Sequence, residues 1–247
     1  MKKLIYLMVV IAILGLIVSG CIAPLESVAP SSEKGNPKPE LGTPTIEKIT
    51  FIHYAKSSGH SKPEWDDTED DFKFIVGGIK WPNLPISYEV NPGDSGLDED
   101  VVLGALTSAS EEWDSWVVAD LFNIPTLTDK AAIGYDYKNR VVWADLPEGI
   151  IAICHLWYIP PTKTIVEFDV EFNKLYPWST TGESEKMDLQ NIATHEFGHN
   201  GLNDLRPPKD WALTMYGWSG YGDTEKQTLG YGDTLGIQEL YGSGPVW

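Results

Sequence analysis

A five-residue segment, His195-Glu196-Phe197-Gly198-His199, constrains this chain more than any other. Residues four apart lie one turn apart on the same face of a helix, so two histidines at this spacing can reach one metal ion. Asp188 is a typical helix N-cap and Gly201 a typical helix stop, and together they predict a helix over residues 189–200. The segment therefore predicts a helix that directs two imidazoles toward a common metal ion.

The residue between the histidines indicates what such a metal would do. Glu196 follows the first histidine directly, which places it about 100° around the helix, where its carboxylate can approach a metal-bound water without ligating the metal. The pattern is typical of zinc proteases. Zinc lowers the pKa of a bound water toward about 7, and a nearby carboxylate can take the proton as the water attacks a peptide carbonyl. The sequence thus predicts His195 and His199 as zinc ligands and Glu196 as the general base.

The chain is strongly acidic, with a formal net charge of -18 over 247 residues. This charge argues against a nucleic acid as a partner, because the phosphate backbone is also negative. An acidic surface favours solubility in a salty or extracellular medium. Calcium binding is the alternative, although neither acidic cluster has the spacing of a calcium loop, and Ca²⁺ stays open as a second metal. The clusters are Asp66, Asp67, Glu69, Asp70 and Asp71, and Asp94, Asp98 and Asp100.

The N-terminal segment has the pattern of an export signal over residues 1–20. Lys2 and Lys3 precede an apolar run that extends from residue 4 to residue 18. Val18-Ser19-Gly20-Cys21 resembles a prokaryotic lipoprotein box, in which the cysteine carries lipid and becomes the new N-terminus. Residues 21–45 are rich in Pro, Ser, Gly and Glu and predict a flexible tether. We therefore expect a monomer held on the outer face of the cell membrane through Cys21, with an uncleaved signal anchor as the alternative.

The chain has only two cysteines. If Cys21 is lipidated, Cys154 has no partner, so a disulfide framework is not expected despite the exported location. Cys154 lies in an apolar run over residues 150–154, and we expect a small buried core residue rather than a reactive thiol.

The remaining pattern predicts one folded domain over residues 46–247. Strands are expected over 49–55, 86–90, 140–144, 150–158 and 165–172, and helices over 99–118, 189–200 and 234–241. Strands come first and helices then interleave, which predicts an α+β domain. In the strand over 165–172, Glu167, Asp169 and Glu171 alternate with apolar residues, which predicts an acidic outer face.

Further motifs extend the comparison beyond the helix. From about Lys80 to Gly242 the chain resembles a matrixin-type metzincin catalytic domain. The resemblance implies a twisted mixed sheet with three helices, zinc in the cleft, and a zinc-dependent endopeptidase that acts on extracellular polypeptides. It also implies that the strand over 151–157 borders the cleft and pairs with an extended substrate. The motifs that carry it are Lys80-Trp81, Ile86-Ser87-Tyr88, Phe168-Asp169-Val170-Glu171-Phe172-Asn173, Trp178-Ser179-Thr180, Met215-Tyr216-Gly217 as a Met-turn, and the closing segment over 228–242.

The sequence departs from the family's zinc signature after the second histidine. Gly201 follows His199 by two residues rather than three, and Leu205 stands where the family has its third ligand. Asp204 keeps the usual spacing from the glycine, and the snapalysin-like metzincins use an aspartate there. We therefore predict Asp204 as the third ligand, reached by a left-handed turn at residues 200–201, with Asn203 and Asp210 as alternatives.

Two other family features are missing. No cysteine-switch motif precedes the domain, so latency through a cysteine–zinc bond is not expected. The histidines that bind a second, structural zinc in vertebrate matrixins are also missing. The remaining histidines, His53, His60 and His155, are scattered, and we expect each to be a surface or core residue rather than a ligand.

Two functions from different classes fit this sequence. The first is the endopeptidase. The second is a catalytically inactive, surface-anchored binding protein that retains the metzincin fold, and the shortened zinc signature is its support. Glu196 counts against the second function, because a binding protein needs no general base.

Overall fold

The computed structural model describes residues 44–56, 70–206 and 211–244, all of which lie in the second of two compact units, Thr43–Trp247. Within these ranges no helix is long and apolar enough to span a bilayer. Several predictions fall outside the described residues. They concern the signal and most of the tether, and Cys21, His60, Asp66, Asp67, Glu69 and Asp210.

Seven strands form one mixed sheet. They are β1 (Glu47–Ala55), β2 (Glu89–Val90), β3 (Thr126–Leu127), β4 (Arg140–Ala144), β5 (Ile150–Ile159), β6 (Thr164–Asn173) and β9 (Trp218–Ser219). Their order across the sheet is β3-β2-β4-β6-β5-β1-β9. β5 runs antiparallel to both of its neighbours, β6 and β1, whereas the other pairs are parallel. A separate two-stranded pair consists of β7 (Trp178–Ser179) and β8 (Met187–Asp188). Together with the three helices this is the predicted α+β fold, although the strand predicted over 86–90 shortens to two residues.

The helix α1 (Glu99–Asp114) ends four residues earlier than predicted. The Asp114 carboxylate accepts the backbone N–H of Leu121 at 2.7 Å and holds the chain in a turn beyond the helix. Val117 then forms a bridge with Ser243 instead of continuing the helix. Asp98 occupies the N-cap position, but its side chain makes no capping hydrogen bond.

The helix α2 (Leu189–Gly198) carries the metal-binding motif through the interior. Asp188 caps it as predicted, with its carboxylate accepting the backbone N–H of Asn191. Nine of its ten residues are buried. Trp113 of α1 donates its indole N–H to the carbonyl oxygen of Thr194 at 2.8 Å. A Cβ at Gly198 would lie 2.2 Å from Met215 Sδ and 2.6 Å from the Trp113 ring, so only glycine fits where α1, α2 and the Met-turn meet.

The helix α3 (Tyr231–Tyr241) starts three residues earlier than predicted. Asp233 therefore lies inside its first turn rather than before it. The Asp233 carboxylate is fully buried and accepts three backbone N–H groups, from Thr214 at 2.6 Å, Met215 at 3.1 Å and Gly230 at 3.0 Å. This carboxylate ties the start of α3 to the Met-turn.

The acidic face predicted for β6 is not exposed, and that prediction was wrong. Glu167 and Asp169 are both fully buried. The loop before β4 and the first residue of β4 cover them with backbone N–H donors: Gly134 and Arg140 donate to Asp169, and Asp136 and Tyr137 donate to Glu167. Burial raises the pKa of Glu167 to about 7 and that of Asp169 to about 6. Alternation identified the face correctly, but it could not show that a loop covers it.

Cys154 is a buried free cysteine in β5, as predicted. Burial raises the pKa of its thiol well above the ordinary value, which keeps it in the unreactive thiol form.

Candidate metal centre

Two backbone carbonyls orient the imidazoles of α2. His195 Nδ1 lies 2.7 Å from the Thr214 carbonyl oxygen, and His199 Nδ1 lies 3.0 Å from the Leu202 carbonyl oxygen. A carbonyl can only accept, so Nδ1 carries the hydrogen in each ring and Nε2 presents a lone pair. Burial lowers the pKa of His195 and brings that of His199 down to about 3, so both rings are neutral at ordinary pH. A neutral imidazole is the form that binds metal ions.

The Asp204 carboxylate meets both of these lone pairs. Its Oδ1 lies 3.3 Å from His195 Nε2 and 3.5 Å from His199 Nε2. All three atoms are buried, and none has a hydrogen-bond partner. Buried polar atoms nearly always have partners, so three that converge without one indicate a site for a cation. Two imidazole nitrogens and one carboxylate oxygen are a ligand set of catalytic zinc, and the residues fit that ion.

The turn after α2 brings Asp204 back toward the helix. Gly201 does not adopt the left-handed conformation that we predicted. Its importance is close packing instead, because a Cβ there would lie 2.5 Å from Leu240 Cδ1. Leu205 donates its N–H to the Met215 carbonyl oxygen at 2.8 Å and accepts the N–H of Gly217, which fixes the backbone beside Asp204. The shortened loop is thus anchored on α3 and on the Met-turn.

The other residues considered as third ligand differ from Asp204 in chemistry, and Asp210 lies outside the described ranges. Leu205, at the family's usual ligand position, is a nearly buried member of the hydrophobic core. Asn203 and Asp204 line the same cavity, and a neutral amide is a weaker zinc ligand than a carboxylate. Asp94 of the second acidic cluster pairs with Lys174 at 2.7 Å and is absent from the groups of His, Cys, Asp and Glu side chains that could hold a metal among the described residues.

The Met-turn supports the ligands from below. The Met215 side chain is buried against Gly198, and the neighbouring Thr214 supplies the carbonyl that orients His195. The Asp233 carboxylate accepts the backbone N–H groups of both Thr214 and Met215 and so fixes this turn. Sequence reasoning gave Asp233 only as a residue before the last helix and missed this role. The resemblance of the closing segment to the family was the one signal for it.

Glu196 lies beside the ligands and is completely buried. Its Oε1 lies 3.0 Å from Nδ1 of His53, and its Oε2 has no partner. Burial raises the pKa of its carboxyl well above the ordinary value. The carboxylate thus has one oxygen held and one free in an enclosed site.

His53 was predicted as an ordinary core or surface residue, and sequence reasoning missed its place beside Glu196. Its ring lies 4.1 Å from the His195 ring, and its Nε2 lies 2.9 Å from Ser219 Oγ and 3.3 Å from Lys226 Nζ. Lys226 is also buried, which lowers its pKa to about 7, and it donates to the Tyr216 carbonyl oxygen. Alternation along β1 was the available signal, because it places Phe51 and His53 on one face.

The other described histidine and the predicted cleft border can also be placed. His155 contacts Glu171 and Thr50 and is absent from the potential ligand groups of the described residues. The strand predicted to border the cleft is β5. The edge of β5 that was predicted to face the cleft is instead paired with β1 of the same chain. The prediction of an open edge was wrong, because a strand about a hundred residues earlier in the sequence pairs with it.

Comparisons with known proteins agree with this geometry. The family model that matches residues 80–242 is matrixin, peptidase family M10. Stromelysin-3 of Homo sapiens is 27% identical over 175 residues, which cover 69% of this chain and 33% of that protein. Neutrophil collagenase of Homo sapiens is 28% identical over 182 residues, covering 71% and 36% respectively. The hatching enzyme of Paracentrotus lividus is 26% identical over 179 residues, covering 70% and 28%.

The chain thus spans about a third of the length of these curated relatives. The family match, in contrast, covers well over half of the chain and includes the ligand helix, the Met-turn and the last helix. The chain belongs to the matrixin family.

Proposed function

We propose that this protein is a zinc-dependent endopeptidase that hydrolyses extracellular polypeptides. The observation that carries the proposal is the convergence of three buried, unpartnered ligand atoms beside a buried carboxylate. The relatives named stromelysin-3 and neutrophil collagenase support the same reaction class.

The proposed ligands are His195, His199 and Asp204. When bound, zinc supplies a Lewis acid that acidifies a water molecule and polarises a peptide carbonyl. The protein holds the two imidazoles neutral and correctly oriented through the carbonyls of Thr214 and Leu202.

Glu196 is the proposed general base. Its free Oε2 accepts the proton of the attacking water, and the same carboxyl then delivers that proton to the leaving amine. Burial raises the pKa of this carboxyl, which makes the carboxylate a stronger base than an exposed glutamate. Met215 is proposed to act through packing, by holding α2 in place.

The alternative is an inactive, surface-anchored binding protein with the same fold. Its support was the shortened zinc signature. Asp204 lies within 3.5 Å of both imidazole nitrogens, which weakens that support, because the shorter loop still brings a carboxylate oxygen to them.

Two measurements on the purified protein test the proposal. Metal analysis after dialysis against low free zinc should give one zinc per chain, and the loaded protein should hydrolyse casein. Glu196→Gln should keep the zinc and lose about 10²–10⁴ in rate, as expected for loss of a general base. The matched control is Glu185→Gln, at an exposed position. Full zinc occupancy without any hydrolysis by the wild type would favour the binding protein.

We also propose that the protein is exported and held at the outer membrane surface, on the basis of residues 1–21 alone. Cys21→Ser should release the protein into the medium or block processing of the signal. Wild-type protein recovered from the medium with an unmodified Cys21 would contradict the lipid anchor.

A further inference from the structure

The proposed catalytic residues are closed off from solvent by the chain's own β1. His195, Glu196 and His199 are each at most 1% exposed. The Phe51 ring stacks on the His199 ring with centroids 3.9 Å apart, and His53 contacts both His195 and Glu196. A polypeptide cannot approach these groups while β1 is in this position.

β1 lies in the site as an extended peptide with partners on both sides. It pairs antiparallel with β5 from Glu47 opposite Tyr158 to Tyr54 opposite Ile150. At its far end it runs parallel to β9. Three backbone N–H groups bond to these flanking segments: Tyr54 to Gly217 O at 3.1 Å, Ala55 to Gly149 O at 2.9 Å and Lys56 to Ser219 O at 2.8 Å. Pairing of this kind depends on backbone groups, which every extended peptide has.

The side chain of His53 fills a polar pocket next to the proposed metal site. Ser219, Lys226 and Glu196 each contact one of its ring nitrogens. His53 therefore contacts the proposed general base directly, because its Nδ1 lies 3.0 Å from Glu196 Oε1. A strand with a purely structural role would not need to engage this carboxylate.

β1 is attached less firmly than the strand beside it. Only two of its nine residues are buried, and one of the two is the polar His53. Seven of the ten residues of β5 are buried. Few buried apolar contacts mean a low free energy of local opening, so β1 can leave while the rest of the sheet stays folded.

We propose that β1 is an intramolecular pseudosubstrate, which occupies the groove between β5 and β9 and must leave before an external polypeptide can bind. The inference rests on the proposed peptidase function and adds its regulation. The competitor is any extended polypeptide that can form the same backbone pairs. No cysteine lies in β1, so the block depends on strand pairing and on the contact between His53 and Glu196.

A reversible lock provides the sharpest test. Thr50 and His155 are directly opposite in β1 and β5, and Thr50 Oγ1 lies 3.1 Å from His155 Nδ1. The double variant Thr50→Cys/His155→Cys should therefore form a disulfide that keeps β1 in the groove. The oxidised protein should lose at least about tenfold in casein hydrolysis with its zinc content unchanged, and reduction should restore the rate. Each single variant under the same oxidant controls for oxidation of the native cysteines.

A variant that weakens the attachment of β1 tests the opposite effect, an increase in activity. His53→Ala removes the contact to Glu196 and should raise the rate of casein hydrolysis several-fold and lower KM. Hydrogen exchange of the amides in β1 should become faster. Ile52→Ala is the matched control, since its side chain points to the other face of β1. It should change the rate much less than His53→Ala does.

Binding of a labelled peptide separates this inference from the proposed function. A synthetic peptide with the sequence of residues 47–56 should bind the reduced double variant and should not bind the oxidised one. If no form hydrolyses casein but the peptide discriminates in this way, the pseudosubstrate stands and the peptidase proposal fails. Equal hydrolysis or equal peptide binding by the oxidised and reduced forms would overturn the pseudosubstrate.

Discussion

The proposed catalytic residues lie between two regions that are built very differently. Below them, α2 has nine of ten residues buried, and its position is fixed by a tryptophan of α1, by Met215 and by the last helix. Above them, β1 has only two of nine residues buried and is held largely by backbone pairing. We call α2, with the groups that fix it, the floor of the site, and β1 its cover. The floor holds the proposed ligands in one geometry, whereas the cover is suited to exchange for another strand.

A matched pair of phenylalanines should show this difference most clearly. Phe197 in α2 is buried among the rings of Tyr88, Phe122 and Phe168, so Phe197→Ala should cost about 3–5 kcal/mol of unfolding free energy. Phe51 in β1 stacks on the His199 imidazole in a strand with only one other buried residue, and Phe51→Ala should cost at most about 2 kcal/mol. Urea unfolding of both variants measures the contrast. Equal losses would mean that β1 is as integral to the fold as α2.

The proposed third ligand, Asp204, tests how the floor would hold a zinc ion. Asp204→Ala leaves two imidazole lone pairs without the carboxylate that faces them. Zinc affinity should fall by more than the roughly 10–100-fold typical of losing a group that only orients a ligand, and casein hydrolysis should fall with it. Asn203→Ala, at the neighbouring position, is the control and should retain zinc. Full zinc stoichiometry in Asp204→Ala at low free zinc would show that another group completes the site.

The floor could be predicted from the sequence much better than the cover. The spacing of His195 and His199 is a local property of a helix, so the convergence of their two rings could be predicted directly from it. Asp204 was proposed from its spacing to Gly201, which resembles that of the family, and from the need of a zinc ion for a third ligand. The position of His53, in contrast, depends on the pairing of β1 with β5, and nothing within a single strand specifies its partner. For the same reason the faces of β6 were predicted but the loop that covers them was not.

Two glycines in neighbouring helices, Gly198 in α2 and Gly104 in α1, differ in how much space surrounds them. A Cβ at Gly198 would lie 2.2 Å from Met215 Sδ, so Gly198→Ala must shift the Met-turn or α2. The unfolding free energy of Gly198→Ala should fall by an amount at the upper end of the roughly 1–3 kcal/mol typical of overpacking. A Cβ at Gly104 in α1 would meet nothing within 4 Å, so Gly104→Ala should stabilise by about 0.5–1 kcal/mol. Thermal unfolding distinguishes the two, and a neutral Gly198→Ala would show that this contact is not tight.

The loop before β4, which covers Glu167 and Asp169 of β6, is a second cover, and its attachment should depend on pH. Burial raises the pKa of Glu167 from 4.5 to about 7. Because the folded state holds this proton more tightly than the unfolded state, the stability that Glu167 contributes is complete below pH 4.5 and is lost as the pH rises through about 7. Glu167→Gln stays neutral at every pH, so the unfolding free energy of the wild type relative to the variant should fall by about 1–2 kcal/mol between pH 5 and pH 8. Glu185→Gln, at an exposed position, should show no such trend. Urea titrations at several pH values measure both differences, and a constant difference for Glu167→Gln would mean that the two N–H donors of the loop hold this carboxylate charged throughout.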